Sequence, residues 1–193
     1  MKKVLFVLVL MLSAGIIANA QFKFGVKAGM NASGVNIENL DTKTRVGLSA
    51  GILGQFKINE RWAIQPEALY NMQGYKAKIS GVDCTFKTDY VSIPVMVQFY
   101  AVEGFSIEVG PQFGILVSAK IKGESDGQSA SVDFKDQMKS FEAAVVVGAA
   151  YELSAIPVGF FARCSLGLTE TTEASFGTDI KNHGFQLGAF VKF

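Results

Sequence analysis

Four polar residues, Lys27, Glu67, Gln112 and Arg163, interrupt stretches in which apolar residues alternate with small or polar ones. A carboxylate together with a lysine and an arginine forms ion pairs and charge-assisted hydrogen bonds when these groups leave bulk water. We therefore expect Glu67 to pair with Arg163 or Lys27, and Gln112 to join the network. Such a network rigidifies a fold, and we favour that role over binding or catalysis.

His183 is the only histidine in the chain. A histidine-dependent hydrolase needs a serine or acidic partner, but His183 is followed by Gly184 and Phe185, and Thr178 and Asp179 are near only in sequence. The chain also lacks a metal-ligand cluster, a phosphate-cradling glycine loop and a nucleophile elbow. We expect His183 to be a surface residue and the protein to have no enzymatic activity and no cofactor.

Residues 1–20 have the composition of a secretory signal peptide. Lys2 and Lys3 precede an apolar stretch from Val4 to Ala18, and Ala18-Asn19-Ala20 is a typical cleavage site. The apolar stretch is shorter than the ~20 residues that a spanning helix needs, and Gln21 is not a lipid-accepting cysteine. We expect cleavage after Ala20 and a single exported domain over residues 21–193.

Without the two signal lysines, 16 Lys and Arg residues stand against 17 Asp and Glu residues. This balance gives no reason to expect a nucleic-acid partner. After residue 20, no uninterrupted apolar run is long enough for a spanning helix, so a membrane could be crossed only by strands.

Alternation with a period of two predicts eight strands. They cover about 22–31, 45–58, 61–73, 89–100, 105–120, 140–152, 157–169 and 184–193. The connections alternate between short turns and long polar loops, the long ones being 32–44, 74–88, 121–139 and 170–183. This arrangement is typical of an antiparallel up-and-down barrel.

One register of these strands contains no charged residue, Asn or Gln. On the fifth predicted strand, for example, it holds Phe105, Ile107, Val109, Pro111, Phe113, Ile115, Val117 and Ala119. Aromatic residues cluster toward both ends of this face. A charge facing the lipid midplane costs ~2–4 kcal/mol, so this register is expected to face lipid.

The opposite register carries the charged and amide residues and many glycines. It holds Lys23, Lys27, Lys57, Gln65, Glu67, Gln73, Gln98, Glu108, Gln112, Glu142, Glu152, Arg163, Gln186 and Lys192. A narrow lumen has room for few large side chains, which explains the glycines. The sequence thus predicts an all-β, eight-stranded antiparallel up-and-down transmembrane β-barrel. The alternative is a soluble lipocalin-like carrier, which would need an apolar interior and a polar exterior.

Two further features concern the strands. Cys84 and Cys164 fall in different environments, and we favour two free thiols over a disulfide. Pro94 and Pro111 lie inside predicted strands, where we expect local bulges.

Five stretches resemble the Bacteroidetes outer-membrane β-barrel domain family, often labelled PorT-like. They are FGVKAGMN (24–31), IQPEALYNMQG (64–74), YVSIPVMVQFY (90–100), VGPQFGILV (109–117) and FFARCSLGLT (160–169). The C-terminal QLGAFVKF, with Gly188, Val191 and Phe193, looks like the signal by which barrel proteins engage the barrel-assembly machinery.

The resemblance implies a porin-like fold in the outer membrane, surrounded by outer-membrane lipid, with both termini in the periplasm. It carries no shared catalytic activity or ligand. Eight strands leave an interior filled by side chains, so a diffusion pore is not expected. We expect a non-enzymatic protein with an envelope-structural role or with loops that contact an extracellular or envelope protein, residues 123–137 above all. A lipid-modifying barrel enzyme acting through His183 is a further alternative.

Overall fold

The computed structural model describes residues 21–35, 42–79, 82–125, 128–135, 138–169 and 182–193. The predicted signal peptide, residues 1–20, lies outside the described residues. Within them, nine strands are present: β1 (Gln21–Val35), β2 (Thr42–Lys57), β3 (Trp62–Ile79), β4 (Val82–Val102), β5 (Phe105–Ser125), β6 (Gln128–Asp133), β7 (Phe141–Glu152), β8 (Val158–Gly167) and β9 (Asn182–Lys192). In the same part of the chain, no helix is long and apolar enough to cross a membrane.

Eight of these strands close into a barrel. Each pairs with its neighbour in the order β1-β2-β3-β4-β5-β7-β8-β9, and β9 pairs back onto β1. All pairings are antiparallel. The predicted eight-stranded antiparallel up-and-down barrel is confirmed. β6 stands outside the ring and pairs only with β5 among the described strands.

The two ends of the barrel differ. At one end, which we call the turn end, successive strands are joined by residues 58–61, 103–104 and 153–157. Gln21 and Phe193 lie at the same end, because Gln21 pairs with Lys57 and the Phe193 N–H donates to the Phe24 carbonyl at 2.6 Å. We call the opposite end the loop end.

Two of the predicted long loops are largely strand, so that prediction is wrong for 74–88 and for much of 121–139. β3 and β4 stay paired as far as Ile79 and Val82, and β5 continues to Ser125 and pairs with β6. We call this part of the sheet, from Thr42–Thr44 across to β6, the sheet extension. Tyr75 and Phe86 stack inside it, with ring centroids 4.5 Å apart. The face of the sheet extension opposite these two rings is polar. Because these strands have no apolar outer face, the alternation in the sequence predicts loops there instead of strands.

The two faces of the barrel wall divide as the alternation predicts. Outward side chains are exposed apolar ones, such as Ile52 (48%), Ile93 (43%) and Val109 (48%). Aromatic residues lie toward both ends of this apolar band, where Trp62 contacts Phe99 at the turn end and Phe113 contacts Phe141 toward the loop end. An exposed apolar band with aromatic residues toward both ends is typical of a surface that faces lipid, not water.

One residue assigned to the lipid face is wrong. Ala119 is fully buried and packs with Tyr90, Leu116 and Met138. The reason is a bulge in β5: Tyr90 pairs with Leu116 while Asp89 pairs with Ser118, so Val117 has no partner on β4. One extra residue turns every later side chain of the strand to the other face.

The expected proline bulges are also wrong. The β4–β5 register is unchanged from Tyr90 to Val97, with Pro94 opposite Gln112, and Pro111 sits in an unbroken register opposite Val145. Proline removes a hydrogen-bond donor but needs no extra residue, so the ladder loses bonds locally without a shift. The bulges lie beside Asp89 and Tyr100 instead.

The two cysteines are free, as favoured from the sequence. Cys84 is half-buried in the sheet extension, and Cys164 is exposed on the outward face of β8.

Candidate functional site

Arg163 is the centre of a buried charge cluster in the lumen. Its guanidinium donates hydrogen bonds to both oxygens of Glu67, at 2.8 and 2.7 Å, and to both oxygens of Glu108, one of them at 2.9 Å. The two carboxylates come from β3 and β5, whereas Arg163 is on β8. Bidentate pairing of a guanidinium with a carboxylate gives strong, directional, charge-assisted hydrogen bonds, and here it occurs twice on one arginine.

Lys27 supplies the second cation of the cluster. Its Nζ lies 3.2 Å from Glu67 Oε1 and 3.7 Å from the centroid of the Phe161 ring. Two cations thus balance two carboxylates, and all four residues are at most 4% exposed. A buried charge without such partners would cost several kcal/mol.

Amide side chains continue the cluster toward the turn end. Gln65 donates to Glu67 at 2.6 Å and Gln98 donates to Glu108 at 3.0 Å. Gln55 then donates to Gln98 at 2.6 Å and to the Tyr100 hydroxyl at 2.8 Å.

The network ends near the turn end on an ion pair. The Tyr100 hydroxyl donates to Glu152 at 2.6 Å, and Lys192 Nζ donates to the same carboxylate oxygen at 2.7 Å. Every barrel strand contributes at least one side chain to this lumen network, in chain order Lys27, Gln55, Gln65 and Glu67, Gln98 and Tyr100, Glu108, Glu152, Arg163, and Lys192.

Space for Arg163 comes from Gly148 on the neighbouring strand. Gly148 pairs with Arg163 on one side and with Glu108 on the other. A Cβ at position 148 would stand 2.7 Å from Arg163 Cγ. The glycine therefore lets the arginine lie across β7 to reach Glu108.

Of the four residues predicted as a network, the structure brings three together. Lys27, Glu67 and Arg163 are in direct contact. Gln112 is buried, but it makes no hydrogen bond to any of those three residues, all of which are described. Glu108 takes the place expected for Gln112. Glu108, Gly148 and Arg163 are directly paired across β5, β7 and β8. This pairing would have predicted the role of Glu108, but only once the register between the three strands was known.

Apolar side chains fill the lumen on both sides of the cluster, which the sequence did not lead us to expect. Leu53, Ala150, Phe161 and Phe190 pack together on the turn side. Tyr90, Leu116, Ala119 and Met138 pack together on the loop side, with Phe134 against them. The lumen-facing side chains are thus polar only near mid-barrel and at the two ends of the barrel.

The turn end of the described barrel opens into two adjoining cavities of about 310 and 600 Å³. Both are lined by Lys23, Glu152, Leu153 and Ser154. They lie outside the Phe161–Phe190 packing and give direct access to the Glu152–Lys192 pair, not to Arg163.

The arrangement offers no evident catalytic group. Every oxygen of Glu67 and Glu108 already accepts a hydrogen bond, so neither carboxylate is placed to take a proton from a substrate. His183 is exposed, and within the described residues it has no hydrogen bond to a hydroxyl or carboxylate; Thr178 and Asp179 lie outside them. No group of three or more His, Cys, Asp or Glu residues in the described ranges could hold a metal ion.

The residues of the predicted assembly signal line the seam of the barrel. Gly188 pairs with Gly29, and Val191 pairs with Val26. Phe193 is 73% exposed at the turn end.

An apolar exterior around a buried, neutralised charge cluster defines an integral membrane barrel with a packed interior. The sequence matches the outer membrane protein beta-barrel domain over residues 17–173, and the chain belongs to that family. It is therefore an outer-membrane protein. A comparison with curated protein sequences finds no match.

Solved structures of outer-membrane proteins share the fold. The attachment invasion locus protein Ail of Yersinia pestis is 19% identical with a TM-score of 0.54, over 89% of this chain and 98% of Ail. Neisserial surface protein A is 14% identical with a TM-score of 0.53, over 88% of this chain and 97% of that protein. AlkL, solved in DMPC bilayers, is 13% identical with a TM-score of 0.51, over 91% of this chain and 92% of AlkL.

The alternative of a soluble lipocalin-like carrier is wrong. Such a carrier needs a polar exterior and an apolar binding cavity, whereas this barrel exposes isoleucine, valine and phenylalanine and buries Lys27, Glu67 and Arg163.

Proposed function

We propose that the protein is a non-enzymatic surface protein of the outer membrane, in which a rigid barrel presents the sheet extension to a partner. The observation that carries this is the contrast between the two parts of the chain. The barrel interior is packed and its charges are internally neutralised, whereas β3, β4 and β5 continue well beyond the apolar band and add β6. A rigid scaffold carrying variable projecting segments is a common basis of recognition.

The orientation follows from the general architecture of such barrels, which have short periplasmic turns and longer extracellular segments. On this basis the turn end and both ends of the mature chain face the periplasm, and the sheet extension faces the cell exterior. The residues earlier expected to make contact, 123–137, then include β6, where Val132 is 63% exposed.

The names of two similar proteins support a surface role in general terms. One is called an attachment invasion locus protein, and a structure of it holds a heparin analogue, sucrose octasulfate. The other is called a surface protein. At these identities the likeness shows the fold, and a binding role for this chain is our proposal.

The narrower assignments belong with this proposal. These are the PorT-like, Bacteroidetes subfamily, the cleaved signal peptide over residues 1–20 and recognition of Gly188, Val191 and Phe193 by the barrel-assembly machinery. The exposed Phe193 ring at the end of the closing strand supports the last of them. Truncation of Phe193 should lower the amount of folded barrel in the membrane but not its synthesis.

A complementation experiment separates a surface role from an envelope-structural one. A deletion strain is supplied with the full chain or with a chain in which a short Gly-Ser linker replaces residues 126–133, and resistance to envelope stress is measured. Loss of rescue by the linker variant, at equal levels of heat-resistant folded barrel, supports a surface role for β6. Full rescue would contradict that role and favour the structural one. A changed lipid composition in the deletion strain, restored by the full chain but not by its His183→Ala variant, would favour the enzyme alternative.

A further inference from the structure

A patch of lysines lies on the outward face of the sheet extension. Lys43 pairs directly with Lys76, and Lys87 pairs directly with Lys120. Lys43, Lys76 and Lys120 are exposed and Lys87 is half-exposed. We call these four residues the lysine patch.

The lysine patch is on the same face of the sheet as the lipid-facing band. On β3, Lys76 follows Tyr70 by an even number of residues, and Tyr70 is 41% exposed in that band. On β4, Lys87 likewise precedes Val91, which is 37% exposed. Since side chains alternate along a strand, the lysines continue the lipid-facing surface beyond its apolar part.

Asp89 marks the border between the two surfaces. It accepts a hydrogen bond from the Tyr70 hydroxyl at 3.0 Å, and Arg45 Nη1 lies 3.8 Å from its other oxygen. Lys87 is two residues further along β4, which corresponds to roughly 7 Å. The polar layer on each side of the hydrocarbon core is roughly 5–8 Å thick. The lysine patch therefore begins at the depth of lipid headgroups.

The pairing pattern indicates what the patch binds. Like charges directly opposite each other on neighbouring strands destabilise a sheet. Two such pairs lie in adjacent rows of the sheet extension, since Lys76 pairs with Thr85 and Lys87 pairs with Gly74. On this face Asp133 of β6 stands directly opposite Lys120, where it offsets part of the repulsion, and Asp89 lies two residues from Lys87. Lys122, opposite Thr85, adds a further cation to the same face. An anion carrying two or more negative charges would offset the repulsion within both lysine pairs.

We propose that the lysine patch binds the phosphate groups of an outer-leaflet glycolipid, of the bisphosphorylated lipid A type. Its acyl chains lie against the apolar band below Tyr70, and its phosphates lie between the lysine pairs. A soluble polyanion would match the charge but not the continuity with the lipid-facing band. The proposal rests on the outer-membrane fold and is independent of the partner proposed for β6.

The test uses the full mature chain folded in phosphatidylcholine nanodiscs, with bisphosphorylated lipid A as the probe and dephosphorylated lipid A as the comparison. Binding is compared for the wild type, for K76Q/K87Q/K120Q, and for K23Q/K57Q/R61Q, a matched loss of three cations at the turn end. Near an anionic surface each lysine contributes enough that losing three should weaken the apparent Kd roughly a hundredfold. We expect this loss for the patch variant only, and weaker wild-type binding at higher salt. The wild type should also bind dephosphorylated lipid A more weakly than bisphosphorylated lipid A.

Four results would overturn the proposal. These are equal binding of the two lipids, an unchanged Kd in the patch variant, an equal loss in the turn-end variant, or binding of a soluble sulfated polysaccharide where lipid A does not bind. Heat-resistant migration on a gel, measured for each variant, shows that the compared proteins are folded.

Discussion

Arg163 on β8 and Glu67 on β3 stand on opposite sides of the barrel, and the arginine donates two hydrogen bonds to the carboxylate at 2.7 and 2.8 Å. The same guanidinium binds Glu108 on β5. These contacts cross the lumen, so they tie together strands that share no backbone hydrogen bonds. The cluster acts as an internal brace for the ring.

Replacing Glu67 by Gln should destabilise the barrel strongly. The change leaves Lys27 and Arg163 buried with only Glu108 to balance them, and breaking a buried pair in this way costs about 3–5 kcal/mol. Urea unfolding in lipid vesicles measures the loss. The exposed Glu60→Gln at the turn end is the control, and equal stability of the two variants would refute the bracing role.

Removing Lys27 together with Glu67 should recover part of that loss. Lys27→Met takes away the cation that Glu67→Gln leaves without its carboxylate, while the methionine can still pack on Phe161. We expect a favourable coupling of about 0.5–3 kcal/mol in the double-mutant cycle, measured by the same unfolding experiment. Simple additivity would mean that the two side chains do not interact in the folded barrel.

Gly148→Ala should destabilise the barrel by crowding Arg163. The new Cβ would stand 2.7 Å from Arg163 Cγ and would also clash with the Ala162 carbonyl oxygen, and overpacking of this kind costs about 1–3 kcal/mol. The midpoint of thermal unfolding should fall. Gly54→Ala is a matched control, because its new methyl group meets only the Phe22 ring on the outer face, at 3.2 Å. A larger effect at Gly54 would contradict the account.

Val109→Lys should show that the outer face meets hydrocarbon. Val109 is 48% exposed and lies in the middle part of the apolar band, where a lysine costs about 2–4 kcal/mol. Val102, 64% exposed at the turn end, is the comparison, since a lysine there should cost about 0–1 kcal/mol. Unfolding from lipid vesicles measures both, and equal costs at the two positions would contradict the assigned depth.

The fold could be predicted from the sequence because the alternation of apolar and polar side chains along a strand is a local property. Ile52, Ile93 and Val109 each sit two residues from another apolar side chain, and this pattern survives in all eight barrel strands. Ala119 was misplaced because nothing local signals the bulge at Val117. The hairpin around residues 74–88 was missed because its outward face carries Lys76, Lys78 and Lys87, so the usual apolar alternation is absent.

The site was only partly predictable for a different reason. That Lys27, Glu67 and Arg163 would meet follows from charge and depth, because buried charges need partners. Which carboxylate completes the cluster depends on the stagger between strands, and this placed Glu108, not Gln112, beside Arg163. The burial of Phe161 and Phe190 in the same lumen also depends on space left by Gly188 and Gly159, a relationship between strands that composition alone does not contain.

The seam between β1 and β9 has a consequence for how the protein must be made. It joins the first and last strands of the barrel, with Gly29 opposite Gly188 and Val26 opposite Val191. Contacts so distant in sequence are slow to form, because the whole intervening chain must be gathered first. Until they form, β1 and β9 each present an unpaired edge that hydrocarbon does not tolerate. Membrane insertion and ring closure are therefore expected to be a single late event, possible only after β9 has been synthesised.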